Sequence, residues 1–154
     1  MSTSKSIVNW FEAAKPQPTV EDLSVQIGCH LEEVSEMLAA LGLKFQAESM
    51  KVIADGFKAK NKYYLHKLSL CLNSECQLIE LVDSLPDQHV TGLGVLKFLK
   101  GLNITSGDLE IIEEVNESNW SKYNGEGLPC FDENGKIKKG PDYMPPNIKQ
   151  FIKK

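Results

Sequence analysis

The chain has 154 residues, of which 42% are hydrophobic and 25% are charged, and it carries a formal net charge of −4. A chain of this length buries roughly 70% of the surface that it exposes when unfolded, so a hydrophobic core without cross-links is expected. This composition disfavours disulfide-scaffold and disordered proteins. The cysteines contain no C-x-x-C pair, which disfavours a zinc knuckle and a redox motif. We expect buried thiols at four positions: Cys29, Cys71, Cys76 and Cys130.

The distribution of charge indicates where the chemistry lies. All 17 basic residues are lysines, and the ranges 20–43 and 68–96 contain none of them. The mild negative charge argues against a duplex nucleic acid partner, because proteins that bind one usually present a basic face. No apolar run reaches the roughly 18 residues that span a bilayer, and the first residues lack the apolar run of a secretory signal. We therefore expect a cytosolic protein with no membrane partner.

Local signals predict two helices in the first part of the chain. The first covers 5–14 and is ended by Pro16 and Pro18, which cannot continue a helix. Thr19 is an N-cap for the second helix, and Gly42 ends it. Within the second helix, apolar residues recur every three or four positions, as on one helical face: Leu23, Ile27, Leu31, Val34, Leu38 and Leu41.

The middle of the chain is also predicted to be helical. The lysine-rich range 44–67 predicts an exposed helix with a break near Asp55 and Gly56. The range 68–85 is apolar enough for a mostly buried helix, and Pro86 predicts a kink or a fresh helix start. Three more elements follow: a helix over 90–99, a turn over 101–104, and a last helix over 108–123 capped by Thr105 or Ser106.

The last 31 positions, 124–154, are rich in Lys, Pro, Gly and Asn and predict an irregular tail. Within it, the run Asp132 to Gly135 predicts the turn of a small hairpin, and Pro145 and Pro146 predict a terminal helical turn. No region alternates apolar and polar residues with period 2. We therefore predict an all-α, antiparallel helical bundle, a single domain over 1–154 with its helical core at 5–123.

Acidic residues form a strip on the second helix. On a helical wheel Glu32, Glu33 and Glu36 lie opposite the apolar face, together with small and apolar residues. Such a strip is by itself typical of a solvated face. The companions Val25, Cys29 and Ala40, and the absence of a nearby lysine, instead predict a second buried seam.

The second lysine-free range repeats the pattern. Glu80, Asp83 and Asp87 share one helical side, framed by small residues: Ser69, Asn73, Cys76 and Ser84. If the two strips face each other, several carboxylates converge and repel one another unless they are protonated or bind a metal. Carboxylate oxygens in that number suit Mg²⁺ or Mn²⁺, and the absence of matching His or Cys argues against zinc.

These motifs resemble a known signature. Glu32-Glu33-Val34-Ser35-Glu36, followed by Glu80-Leu81-Val82-Asp83, resembles the E-E-x-x-E and E-x-x-D motifs of the all-α nucleoside triphosphate pyrophosphohydrolases. This MazG-type superfamily includes phosphoribosyl-ATP pyrophosphohydrolases and dimeric dUTPase-like members. The ranges 114–122 and 134–148 look like the last helix and tail of its small members, so the resemblance covers roughly Ser6 to Ile152.

The resemblance implies a role for each matching residue. Glu33, Glu36, Glu80 and Asp83 match the carboxylates that bind Mg²⁺, or Mn²⁺ in its place. Glu32 matches an extra acid that helps hold a further ion or orients and deprotonates the attacking water. Four residues match the phosphate side of the site: Asn119, Lys122, Lys136 and Lys139. Asp87 either joins the metal cluster or is the N-terminal charge of a restarted helix.

The resemblance also implies an activity. We expect hydrolysis between the α and β phosphates of a nucleoside triphosphate, with a deoxynucleotide such as dUTP or dCTP preferred and phosphoribosyl-ATP as the alternative substrate. Trp10 or Trp120 is either a stacking platform for the base or part of the packing. Family members are homodimers or tetramers, and the same is expected here. A non-catalytic helical module that binds a metal or a partner is the competing interpretation.

Overall fold

A computed structural model describes residues 2–153. This part of the chain is predominantly helical, as expected for an all-α fold, and its elements occur in the following order: α1 (Thr3–Ala14), α2 (Val20–Ala40), α3 (Lys44–Lys58), α4 (Lys62–Leu72), α5 (Glu75–Gly101), α6 (Leu109–Trp120), β1 (Cys130–Phe131), β2 (Ile137–Lys138) and a 3-10 turn (Ile148–Phe151). Within 2–153, no helix combines the length and the apolar character needed to cross a membrane.

The predicted boundaries of α2 are confirmed. Thr19 and Asp22 form a capping box, in which the Thr19 hydroxyl accepts from the Asp22 backbone N–H and the Asp22 carboxylate accepts from the Thr19 backbone N–H. After the last turn, Gly42 adopts a φ of 80°, a left-handed conformation that glycine reaches at little cost. These short-range signals therefore fix both ends of the helix.

The predicted break near Asp55 and Gly56 is displaced towards the C-terminus. Helix α3 continues to Lys58, and α4 begins after Asn61, whose side chain accepts from the Tyr63 backbone N–H. Gly56 serves helix packing instead, because a Cβ there would lie 2.1 Å from the Tyr64 ring.

Helix α5 differs most from expectation. It is one helix of 27 residues with Pro86 inside it, so of the two outcomes predicted there, a kink or a fresh helix start, the fresh start is wrong. The predicted single, mostly buried helix over 68–85 is also wrong, because 68–72 belong to α4 and no described residue of α5 is buried. All positions from 82 to 92 are exposed. The apolar pattern correctly indicates a helix, but a periodic pattern does not say which element covers the apolar side.

The last helix and the tail follow the prediction with one change. Asp108 caps α6 by accepting from the Leu109 backbone N–H, whereas the hydroxyl of the buried Thr105 donates to the Gly107 carbonyl. In the tail, the predicted hairpin turn and the predicted helical turn are both present, the latter as the 3-10 turn Ile148–Phe151. Of the four cysteines, Cys76 is exposed and the others are half-buried.

The described chain forms two compact units. The first comprises 2–16, 76–130 and 138–153, and the second comprises Gln17–Glu75 and Phe131–Ile137. In the first unit, α1 packs on α6 through the buried Trp10, which stacks on Tyr123. The Tyr123 hydroxyl donates to the Trp10 carbonyl, and the Trp10 indole N–H donates to the Asn119 carbonyl at 2.9 Å.

The second unit is built on a close contact between α2 and α3. Small side chains of α2 face α3 there: the Ser24 hydroxyl donates to the Phe57 carbonyl at 2.9 Å, and the Ser35 hydroxyl donates to the Ala47 carbonyl at 2.7 Å. Between them, a Cβ at Gly28 would lie 2.6 Å from the Ala54 carbonyl oxygen. The two backbones therefore approach more closely than any larger residue at position 28 permits.

Gly28→Ala tests this contact. We expect a loss of about 1–3 kcal/mol in the free energy of unfolding, because the added methyl group overpacks the seam. The control is Gly92→Ala in α5, where a Cβ meets nothing within 4 Å. There the same change should stabilise the helix by about 0.5–1 kcal/mol. Urea denaturation followed by circular dichroism measures both, and equal effects of the two substitutions would contradict the packing role of Gly28.

Candidate functional site

Neighbouring acids of α2 lie in different environments. Glu33 and Glu36, three positions apart, share one side of the helix and are exposed. Glu32 is half-buried, with 19% of its side chain exposed. Since successive residues of a helix differ by about 100° in direction, the first two acids of the motif point to different surroundings.

Glu32 binds two lysines. Its Oε1 accepts from Lys58 Nζ at 2.7 Å, and its Oε2 accepts from Lys136 Nζ at 2.6 Å. Lys58 also pairs with Asp55 at 2.9 Å. The second unit therefore contains a continuous charged cluster that joins α2, α3 and the hairpin turn.

The cluster shifts the pKa values of its members. Burial raises the pKa of Glu32, but the hydrogen bonds from Lys136 and Lys58 outweigh burial and hold it below its usual value. Burial lowers the pKa of Lys58, but the hydrogen bonds to Asp55 and Glu32 outweigh it and raise the pKa. The pKa of Lys136 is raised in the same way by Glu32. All three groups are thus held in their charged forms.

The predicted buried seam that contains the acids of α2 is wrong for most of its members, because Glu33 and Glu36 are exposed and a neighbouring side of the helix is buried instead. Ser24, Val25, Gly28 and Ser35 are buried, Cys29 is half-buried, and Ala40 is exposed. Burial raises the pKa of the Cys29 thiol, although nearby Lys136 acts in the opposite direction.

Gly28 also determines where Lys58 lies. A Cβ at Gly28 would come within 2.7 Å of Lys58 Cγ, so the stem of this lysine crosses α2 where the helix has no side chain. Its ammonium group thereby reaches Glu32, one turn further along α2. The sequence patterns do not identify Lys58, because nothing local links it to an acid 26 positions earlier. Its spacing of three from Asp55 is the only signal that the sequence offers.

Lys136 is held by the turn that carries it. Asp132 Oδ1 accepts from the backbone N–H groups of Asn134 and Lys136, both at 2.9 Å, and Gly135 adopts a φ of 84°. This turn fixes the backbone of Lys136 independently of the ion pair between its side chain and Glu32.

A cavity of about 330 Å³ opens beside this cluster. It is lined by charged and polar residues of α3 and the hairpin turn: Asp55, Lys58, Ala59, Asp132, Asn134 and Lys136. Both lysines that bind Glu32 thus border the same space, which is large enough for a group of phosphate size.

The remaining predicted acids lie on α5. Glu80 and Asp83 are exposed and one turn apart, and Asp87 follows on the same helix. Glu80 accepts a weak hydrogen bond from Cys76 Sγ at 3.9 Å. Among residues 2–153, no three His, Cys, Asp or Glu side chains are grouped so that they could hold a metal ion. The predicted carboxylates therefore occur as two pairs, Glu33 with Glu36 and Glu80 with Asp83.

The other predicted phosphate ligands lie in the first unit. Asn119 lies in the last turn of α6, and Lys122 Nζ lies 5.7 Å from the centre of the Trp10 ring. Lys139 Nζ lies 4.7 Å from the centre of the Tyr143 ring. Trp10 is buried, which favours its packing role over base stacking.

Trp120 is also part of the packing of the first unit. Its indole N–H donates to the Ser6 hydroxyl at 3.0 Å, and its ring meets Tyr123 edge-on.

Comparisons of the chain with family models, with curated proteins and with solved structures give no match. The resemblance to the pyrophosphohydrolases therefore depends on the motifs of the sequence.

Glu32→Gln tests the charged cluster. Because the pKa of Glu32 is lowered on folding, its ion pairs stabilise the protein above the unfolded pKa, and this stability is lost as the pH falls through the folded value. We expect the free energy of unfolding of the variant to fall by about 1–3 kcal/mol at pH 7, since the neutral amide replaces one of the two acceptor oxygens by an N–H donor. The difference in the free energy of unfolding between the native protein and the variant, measured by urea denaturation, should become smaller below about pH 4. A difference that does not change with pH would contradict the ion pairs.

Proposed function

We propose that the protein is a Mg²⁺-dependent nucleoside triphosphate pyrophosphohydrolase of the antiparallel-bundle type. It would cleave between the α and β phosphates and release a nucleoside monophosphate and pyrophosphate. The observation that carries this proposal is the placement of its two acid motifs, each as a pair of exposed carboxylates one turn apart on a helix.

The carboxylate pairs fit the metal. Mg²⁺ in phosphate-transferring sites is held by one or two carboxylates, and waters and substrate phosphates complete its coordination. Glu33 with Glu36, and Glu80 with Asp83, each provide two hard oxygen donors at the surface. Bound Mg²⁺ would polarise the phosphoryl oxygens and lower the pKa of a bound water. Mn²⁺ has similar ligand preferences and is expected to substitute.

Lysines would bind the phosphates of the substrate. Lys136 borders the cavity and is held rigidly by its turn. Lys122 and Lys139 lie in the first unit, together with Asn119, and are proposed phosphate ligands by resemblance. Because Trp10 and Trp120 pack within the first unit, the base is not assigned to either ring. We propose a deoxynucleoside triphosphate such as dUTP or dCTP as substrate.

A product assay tests this function. The native protein is incubated with Mg²⁺ and a panel of nucleoside triphosphates, deoxynucleoside triphosphates and phosphoribosyl-ATP, and the products are separated by chromatography. We expect monophosphate and pyrophosphate, with kcat reduced about 100-fold or more in Glu33→Gln, because a metal ligand is lost. The matched control is Glu21→Gln, which alters an exposed glutamate in the first turn of the same helix and should retain activity.

Three results would contradict the proposal. Release of orthophosphate would mean cleavage at a different bond. Equal activity of the native protein and Glu33→Gln would exclude the proposed site. No turnover, with thermal stabilisation by Mg²⁺ alone, would favour a metal-binding module instead.

We also propose that a second copy of the chain covers α5. The central positions of this helix, 82–92, are all exposed and include Val82, Leu85 and Val90. The charges of α5 favour an antiparallel pair, because its acids lie in the first half, at 75–87, and its lysines lie in the last turns, at 97 and 100. Two antiparallel copies about 40 Å long would place the acidic half of each helix beside the lysines of the other.

Val82→Glu tests the dimer. A carboxylate buried in the proposed interface should shift the protein from dimer to monomer, because its desolvation is costly and it lies next to Glu80 and Asp83 of its own helix. The control is Val52→Glu in α3, since Val52 and Val82 are 60% and 58% exposed. Light scattering at micromolar concentration measures the mass of each protein. A native tetramer that Val82→Glu dissociates would support the interface, whereas a native monomer would overturn it.

A further inference from the structure

We propose that Glu32 is a positioning residue that holds Lys58 and Lys136 as a clamp for the phosphate chain of the substrate, with Lys58 as a phosphate ligand that the sequence motifs do not include. This inference rests on the proposed function for the identity of its ligand. It differs from the role of an acid that deprotonates water, which the resemblance implies for Glu32.

Glu32 anchors two lysines through hydrogen bonds. Each of its oxygens accepts a hydrogen bond from a different lysine, at 2.7 Å from Lys58 and 2.6 Å from Lys136. The two lysines come from α3 and from the hairpin turn, so one carboxylate fixes the separation of two cations from distant parts of the sequence. Both ammonium groups stabilise the charged form of this carboxylate, so it is a weaker base towards a bound water than a solvated glutamate is.

Both lysines keep the capacity to bind a ligand. An ammonium group carries three donors. Lys136 gives one to Glu32, and Lys58 gives one each to Glu32 and Asp55. Both residues line the same cavity of about 330 Å³, together with Asn134. The remaining N–H donors are therefore available to oxygens of one ligand held between them.

The charge of the cavity indicates the class of ligand. Its lining contains two lysines and two aspartates, Asp55 and Asp132, so a bare anion gains little net attraction. A phosphate chain that carries a divalent cation matches this lining better, because ammonium groups bind phosphoryl oxygens and carboxylates accept hydrogen bonds from the hydration shell of the cation. The clamp is therefore assigned to a pyrophosphate or triphosphate group complexed with Mg²⁺.

Binding of Mg²⁺–pyrophosphate, measured by isothermal titration calorimetry, tests the clamp without turnover. Lys58→Gln and Lys136→Gln should each weaken binding about 10- to 100-fold, because each removes a charge-assisted hydrogen bond. Lys51→Gln is the matched control: this lysine lies on α3 and pairs with Asp55 at 3.6 Å, but it does not line the cavity. It should bind as the native protein does.

Glu32→Gln gives the decisive result. Removal of a negative charge beside the cavity should tighten anion binding if charge alone matters, whereas loss of the anchor should weaken it about 10-fold. Weaker binding therefore supports the positioning role. Unchanged or tighter binding would overturn it. Lys58→Arg and Lys136→Arg retain the charge and should bind better than the glutamine variants.

Kinetics separate this inference from the proposed function. If nucleotides are hydrolysed, Lys58→Gln should raise KM with little change in kcat. Glu32→Gln should also act mainly on KM, and an unchanged KM with a large loss of kcat would make Glu32 a catalytic base and overturn the positioning role. If no nucleotide is hydrolysed but the binding pattern holds, the clamp stands and the proposed function fails. If nucleotides are hydrolysed and the lysine variants behave as the native protein does, the proposed function stands and the clamp fails.

Discussion

The contact between α2 and α3 at Gly28 is the constraint on which the charged cluster depends. A Cβ at this position would meet the Ala54 carbonyl oxygen and the stem of Lys58, so only glycine lets α3 lie where its last turn faces Glu32. Ser24 and Ser35 secure the same seam with hydrogen bonds to α3 carbonyls on either side. Since interiors are closely packed, a shift of one helix here would move the Lys58 ammonium away from Glu32.

The elements that are predicted correctly from the sequence are those formed by residues close together in the chain. The capping box at Thr19, the end of α2 at Gly42 and the hairpin turn at Asp132 are each formed within a few positions, and each is confirmed. The ion pairs of Glu32 join residues 26 and 104 positions apart. No local pattern encodes such pairs, so neither lysine is predicted as a partner of Glu32, and Lys136 is predicted only as a phosphate ligand, by resemblance.

A resemblance to a family assigns roles to the acid motif of α2, but it does not say in which surroundings each acid lies. The motif treats Glu32, Glu33 and Glu36 as one set, but the helix directs Glu32 towards α3 and leaves the other two exposed. A carboxylate whose oxygens both accept from lysines is a weaker base than a solvated one, because its charged form is stabilised. The geometry therefore separates the proposed metal ligands from the residue that organises the lysines, although all three lie within five positions.

Because α5 is exposed, the same helix carries the proposed metal ligands and the proposed dimer interface. An apolar side chain that moves from water into an interface contributes about 1.5–3 kcal/mol when it is fully buried, so the exposed Val82, Leu85 and Val90 favour association. Each copy of this helix carries four acids and two lysines, so the lysines of an antiparallel partner offset only part of the repulsion between the acids. A divalent cation on Glu80 and Asp83 would reduce this repulsion. By linkage, a cation that binds the dimer more tightly than the monomer must also stabilise the dimer, so metal affinity and subunit affinity are expected to rise together.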